Sequence, residues 1–188
     1  FMFSHGFNNW LPEILRDTGM SATRAGFWAT VPIVVGIGTT LVIPQIAKPR
    51  YRIPLLVAIF LAAGLSALIV AMTTGASMTL GLLLQGAAGR GAQPIIMLVL
   101  MDAPQVGGKH MGAAGGLYFT AGEVGGVMGP LVLGVLADQT GGFATGLMML
   151  AGLCVVLAAL TVTLGLALRA DSNAGTSSAG HRSEGSSI

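Results

Sequence analysis

The chain has 188 residues, of which 53% are hydrophobic and only 9% charged, whereas roughly a quarter of an ordinary soluble domain is charged. That leaves too little polar surface to cover a globule, so the expected solvent is lipid and a soluble enzyme is set aside. The formal charge of +2 comes from nine basic residues spread along the chain; they form no patch of the kind that phosphate binding requires, which excludes nucleic acid as a partner.

Residues 1–15 are apolar with a polar stripe and stop at Arg16-Asp17-Thr18-Gly19, short of the roughly 20 residues that a span needs. No basic region and cleavage site mark a signal peptide, so this first helix is expected to begin upstream. On it His5, Asn8, Asn9 and Pro12 fall at i, i+3, i+4 and i+7 and share one face. A polar stripe in lipid must face protein or a water-filled cavity. It either contacts solute or only hydrogen-bonds between helices, and His5 could also relay a proton.

The second span is residues 25–47, free of charge and ended by Lys48-Pro49-Arg50-Tyr51-Arg52, and the third is residues 53–72. Residues 79–101 give a fourth, with Arg90 near its middle in Gln85-Gly86-Ala87-Ala88-Gly89-Arg90-Gly91-Ala92-Gln93-Pro94. A central Arg costs about 2.5–3.5 kcal/mol in lipid, so it must face the protein interior. The small residues around it and Pro94 predict a distorted helix beside a cavity. Arg90, with Gln93 near it, is then the candidate contact for an anionic solute; the alternative is that it neutralises a buried carboxylate.

That carboxylate would be Glu123, at similar depth in the fifth span, residues 113–137. A direct pair would be a structural or gating lock, whereas an unpaired Glu123 could carry a coupling proton. Gly122, Gly125, Gly126 and Gly129 on the same helix make a groove for tight contact, and Pro130 weakens the hydrogen-bond ladder there. Such a surface suits a helix that rocks on its neighbour, or simply packs closely. Residues 143–168 form the sixth span. Its lone Cys154 allows neither an intrachain disulfide nor a cysteine metal site, and His5, His110 and His181 lie in three different settings, so no metal and no cofactor is expected. Residues 169–188 turn to Ser, Gly and scattered charge, a tail with nothing to bury that is expected to be disordered.

Lys48, Arg50, Arg52, Lys109, Arg169 and Arg182 fall on one side of these spans, against Arg16 and Arg24 on the other. The richer side, and with it the carboxy terminus, is expected to be cytoplasmic. An offset of about 90 residues lays Ala25-Gly26-Phe27-Trp28-Ala29-Thr30 on Gly115-Gly116-Leu117-Tyr118-Phe119-Thr120 and Ala47-Lys48 on Ala137-Asp138. Three helices per copy make the copies cross in opposite senses, an inverted three-plus-three repeat. Chance likeness between Gly- and Ala-rich helices is the alternative.

Taken together, residues 1–168 resemble the carboxy-terminal half of the major facilitator superfamily. The fifth helix carries most of the likeness, in Gly125-Gly126-x-x-Gly129-Pro130-x-x-x-Gly134-x-x-x-Asp138-x-Thr140-Gly141, with the basic loop at Lys48, Arg50 and Arg52 beside it. Asn8-Asn9-Trp10-Leu11-Pro12 is similar to the cyanate and nitroimidazole permease branch. The resemblance implies an all-α membrane protein that is half of a twelve-helix fold, with a missing amino-terminal half and the bilayer as partners. It implies secondary transport of a small anionic or polar organic solute across the cell membrane by alternating access, with the proton as the candidate coupling ion. The competing reading is a six-helix scaffold or partner-binding membrane protein. No enzyme chemistry is expected, because no nucleophile and base recur at usable spacing.

Overall fold

The computed structural model describes residues 1–103 and 106–184, without the side chains of 107 and 168–184. Among the described residues there is no strand. Eight α-helices follow one another: α1 (Met2–Asp17), α2 (Ala22–Ala29), α3 (Val31–Ile46), α4 (Arg52–Met72), α5 (Ala76–Gly89), α6 (Ala92–Asp102), α7 (Gly107–Thr140) and α8 (Ala144–Glu184), with a 3₁₀ turn at Pro49–Tyr51 before α4. Four stretches are long and apolar enough to cross a bilayer: Ala22–Ile46, Pro49–Met72, Gly108–Thr140 and Ala144–Ala167. Of the expected tail, residues 169–184 continue α8 as helical backbone; their side chains and residues 185–188 lie outside the described residues.

Two of the expected spans are interrupted. The second divides at Thr30, whose N–H bonds back three residues to Phe27 O at 3.1 Å, two residues before Pro32. The fourth divides at Arg90-Gly91, where Gly91 N–H likewise reaches only to Ala88 O at 3.2 Å. Proline explains the second site: Pro94 offers no N–H to the carbonyl four residues earlier, which is that of Arg90, and its ring crowds the same carbonyl. Arg90 therefore does not sit inside a helix, as the hydropathy pattern suggests. It ends one.

Much of the packing joins helices that are not consecutive in the sequence. α1 lies along α7, α3 along α5, and α4 between α5 and α8. Glycines set the first two approaches. A methyl group at Gly129 would run into the carbonyl of Met2 and stand 3.0 Å from Gly6 N, and one at Gly86 would stand 2.7 Å from Pro32 O. Trp10 fastens α1 to α7 as well, its indole N–H donating to Pro130 O at 2.8 Å while its ring lies against Gly134. The buried core joins Phe7, Leu11 and Leu15 of α1 to Leu133 of α7 and Leu147 and Leu150 of α8. Outward-facing Ile37, Leu41, Val127, Leu131, Val155 and Leu160 are all more than half exposed. A helix surface of that kind is stable against hydrocarbon and unstable in water.

At one end of the bundle Arg52 gathers three partners. Its Nε donates to Ala47 O at 3.2 Å, and one terminal nitrogen donates to Leu98 O at 3.0 Å and to the Asp102 carboxylate. Ala47 caps the end of α3 and Asp102 ends α6, so one guanidinium ties the two helix ends together.

Candidate functional site

A cavity of about 890 Å³ opens between α1, α3, α4, the α5–α6 break, α7 and α8. Small-molecule sites fall in the range of about 300–1,000 Å³. His5, Asn8 and Asn9 of α1 and Arg90 and Gln93 at the break are among its lining residues. Ser4, Thr40 and Tyr118 also contribute polar groups to the wall, and Gly122 and Gly125 of α7 line it too.

The α1 wall is held by a directed hydrogen-bond relay. Asn8 Nδ2 donates to Ser4 O at 2.7 Å, which turns Asn8 Oδ1 outward to accept from Gln85 Nε2 at 3.4 Å. Gln85 is 2% exposed, and its Oε1 has no partner among the described residues. Sequence reading missed Gln85. A single glutamine in an apolar run carries no pattern, and only its place opposite Asn8 gives it a role.

Electrostatically the cavity is one-sided. Arg90 is the one charged side chain among its described lining residues. The ion pairs among the described residues are Arg16–Glu13 at 2.9 Å and Arg52–Asp102, so Arg90 and Glu123 are not joined. Glu123 lies beside the cavity rather than in its wall: it is exposed on α7, and its Oε2 and the His5 ring both approach Gly126. The α6 amino terminus adds to the positive side. Gly91 caps α6 with no side-chain bond and the first turn has no acid, while Ala92 and Gln93 of that turn line the cavity. Unpaired backbone N–H groups at a helix start favour negative charge.

The glycines expected to form a groove on α7 face α1. Methyl groups at Gly122 and Gly125 would stand 2.7 Å from the Phe1 ring and 3.5 Å from Met2 Cβ, and one at Gly126 would overlap His5 Nδ1. Pro130 lies inside α7 without ending it. Lys48, Arg50 and Arg52 cluster at the turn before α4, where Arg50 lies over the Tyr51 ring at 5.2 Å. A second, smaller cavity of about 190 Å³ between Trp10, Phe143 and Gly134 carries the exposed carboxylates Asp17 and Asp138 at the far ends of α1 and α7.

Residues 1–184 match the family model described as Major Facilitator Superfamily. The chain is 30% identical over 158 residues to a protein of Agrobacterium vitis named "Putative tartrate transporter", in an alignment that takes in 82% of this chain and 36% of that protein. The chain thus spans little more than a third of the length of that relative. With its apolar membrane-spanning helices and a family match over nearly its whole length, the chain is a multi-pass membrane protein that belongs to the Major Facilitator Superfamily.

Proposed function

We propose that the chain is the carboxy-terminal half of a secondary carrier that moves a small organic anion by alternating access, with Arg90 as its contact for the negative charge. The observation that carries this reading is a cavity of about 890 Å³ whose one charged lining side chain, among the described residues, is a guanidinium without an ion-pair partner. A charge held at mid-depth at a cost of a few kcal/mol is rarely there for packing alone. The α6 start beside it favours the same sign of ligand. The family match and the cavity favour a carrier over a scaffold.

The helix contacts support an inverted three-plus-three arrangement. If α1, α2–α3 and α4 exchange with α5–α6, α7 and α8, the contact of α1 with α7 becomes that of α5 with α3. The contact of α4 with α8 maps onto itself. All three pairings occur. Rocking of the two halves would then use the glycine crossings of α1 on α7 and α3 on α5. The missing amino-terminal half would supply the other wall, and the basic end at Lys48, Arg50 and Arg52 would face the cytoplasm of the cell membrane together with the carboxy terminus.

Tartrate, from the curated relative, and cyanate, from the likeness of Asn8-Asn9-Trp10-Leu11-Pro12 to cyanate permeases, are both small anions and are the first two solutes to test. In proteoliposomes holding the complete transporter, Arg90→Ala should abolish uptake of whichever is carried, without reducing insertion, since removal of a central charge eases insertion. Uptake at the wild-type rate would remove Arg90 from the site. Proton coupling through Glu123 belongs to the same proposal: Glu123→Gln should lose its dependence on an imposed pH gradient, and full retention would exclude it.

A further inference from the structure

Gly36 of α3 and Gly126 of α7 stand 90 residues apart, the offset that relates the two sequence copies, and each faces the basic side chain that the partner helix sends to the cavity. A methyl group at position 36 would stand 2.9 Å from Arg90 Cδ and 3.5 Å from its Cγ. At position 126 it would overlap His5 Nδ1 and stand 2.9 Å from His5 Cε1. Both Arg90 and His5 line the cavity. The long stem of Arg90 thus lies across the bare backbone of α3, and the His5 ring lies across the bare backbone of α7. Ordinary carbon contacts begin at about 3.5 Å, so neither side chain could keep its place if the glycine gained a side chain.

We propose that Gly36 and Gly126 are positioning residues: each leaves a seat in its helix that fixes where a basic group enters the cavity, Arg90 from one wall and His5 from another. The role of Gly36 rests on the reading of Arg90 as the anion contact. It differs from helix packing in a way that can be measured. The nearest obstruction to a methyl group at Gly36 is the flexible part of a side chain, with the nearest backbone atom, Gly86 O, at 3.3 Å. The helix crossing can survive while the guanidinium cannot stay. At Gly86 and Gly129, by contrast, the obstruction is backbone, and substitution there should act on packing.

Chemical labelling tests the seats without any substrate. In purified protein, phenylglyoxal modification of Arg90 and diethyl pyrocarbonate modification of His5 are followed by mass spectrometry. Gly36→Ala should change the Arg90 rate at least about threefold and leave His5 unchanged, and Gly126→Ala should do the reverse, because each pair is separate in space. Unchanged rates, or both sites changing together in either variant, would overturn the proposal. Uptake by the complete transporter gives the functional arm: Gly36→Ala should raise the KM for the carried anion roughly tenfold and leave kcat within about twofold. A fall in kcat with KM unchanged would show that Gly36 acts through packing. Wild-type uptake by Arg90→Ala would instead defeat the anion-contact reading, leaving the labelling result to stand or fall by itself.

Discussion

Gly129 and Gly115 lie on the same helix, α7, yet a methyl group added to each should act with opposite sign. At Gly129 it meets the backbone of Met2 and Gly6, whereas at Gly115 nothing lies within 4 Å. Overpacking costs about 1–3 kcal/mol, while alanine in an open helical position gains up to about 1 kcal/mol over glycine. Thermal unfolding in detergent should therefore show Gly129→Ala melting lower than wild type and Gly115→Ala no lower. Little of this distinction is legible in the sequence. Both residues sit in Gly-rich stretches, and spacing alone does not say which side of a helix has a neighbour. The same limit explains Arg90 and Glu123: hydropathy gives the depth of a charge in its span but not its angle around the helix, so two charges at similar depth suggested a pair that the fold does not make. The α1 stripe of His5, Asn8 and Asn9 was legible because helical periodicity does encode angle, and the three do share the cavity wall.

Pro94 and Arg52 act on elements rather than sites. Without the proline, residues 76–102 have no covalent reason to break at Arg90-Gly91, so Pro94→Ala should join α5 to α6. Amide exchange over residues 91–95 should slow as the orphan N–H groups of the α6 start find carbonyls. Exchange as fast as in wild type would mean that the surrounding packing, not the proline, holds the break. The distortion was legible in the sequence, because the rule for proline locates the damage one turn upstream of the ring, at Arg90, where α5 ends. Arg52→Ala should lower the melting temperature more than Asp102→Asn does. The first removes the bonds to Ala47 O and Leu98 O together with the ion pair, and the second spares the two carbonyls. Asp102 is 53% exposed, so its pair with Arg52 contributes at most about 1 kcal/mol.

At the scale of the whole chain, membrane character was the easiest property to read, because long uncharged runs need no knowledge of partners. Four such runs recur as helices long enough to cross a bilayer. The remaining pieces, α1, α5 and α6, have 16, 14 and 11 residues, too short by themselves for a core of about 30 Å. Orientation makes a separate prediction: cysteines introduced at Arg50 and at Asp17 should react with a membrane-impermeant maleimide from opposite sides of sealed vesicles. Labelling of both from one side would overturn the loop assignment on which the proposed cytoplasmic placement of the carboxy terminus depends.

Cys154 is the sole cysteine, lies on α8 at 1% exposure, and forms part of the cavity wall. This chain therefore presents one thiol to the cavity, which can serve as a gauge of wetting. Alkylation of that thiol should be slow while the chamber is dry and accelerate whenever water floods it, so a solute that fills the space would announce itself as a change in a single reaction rate.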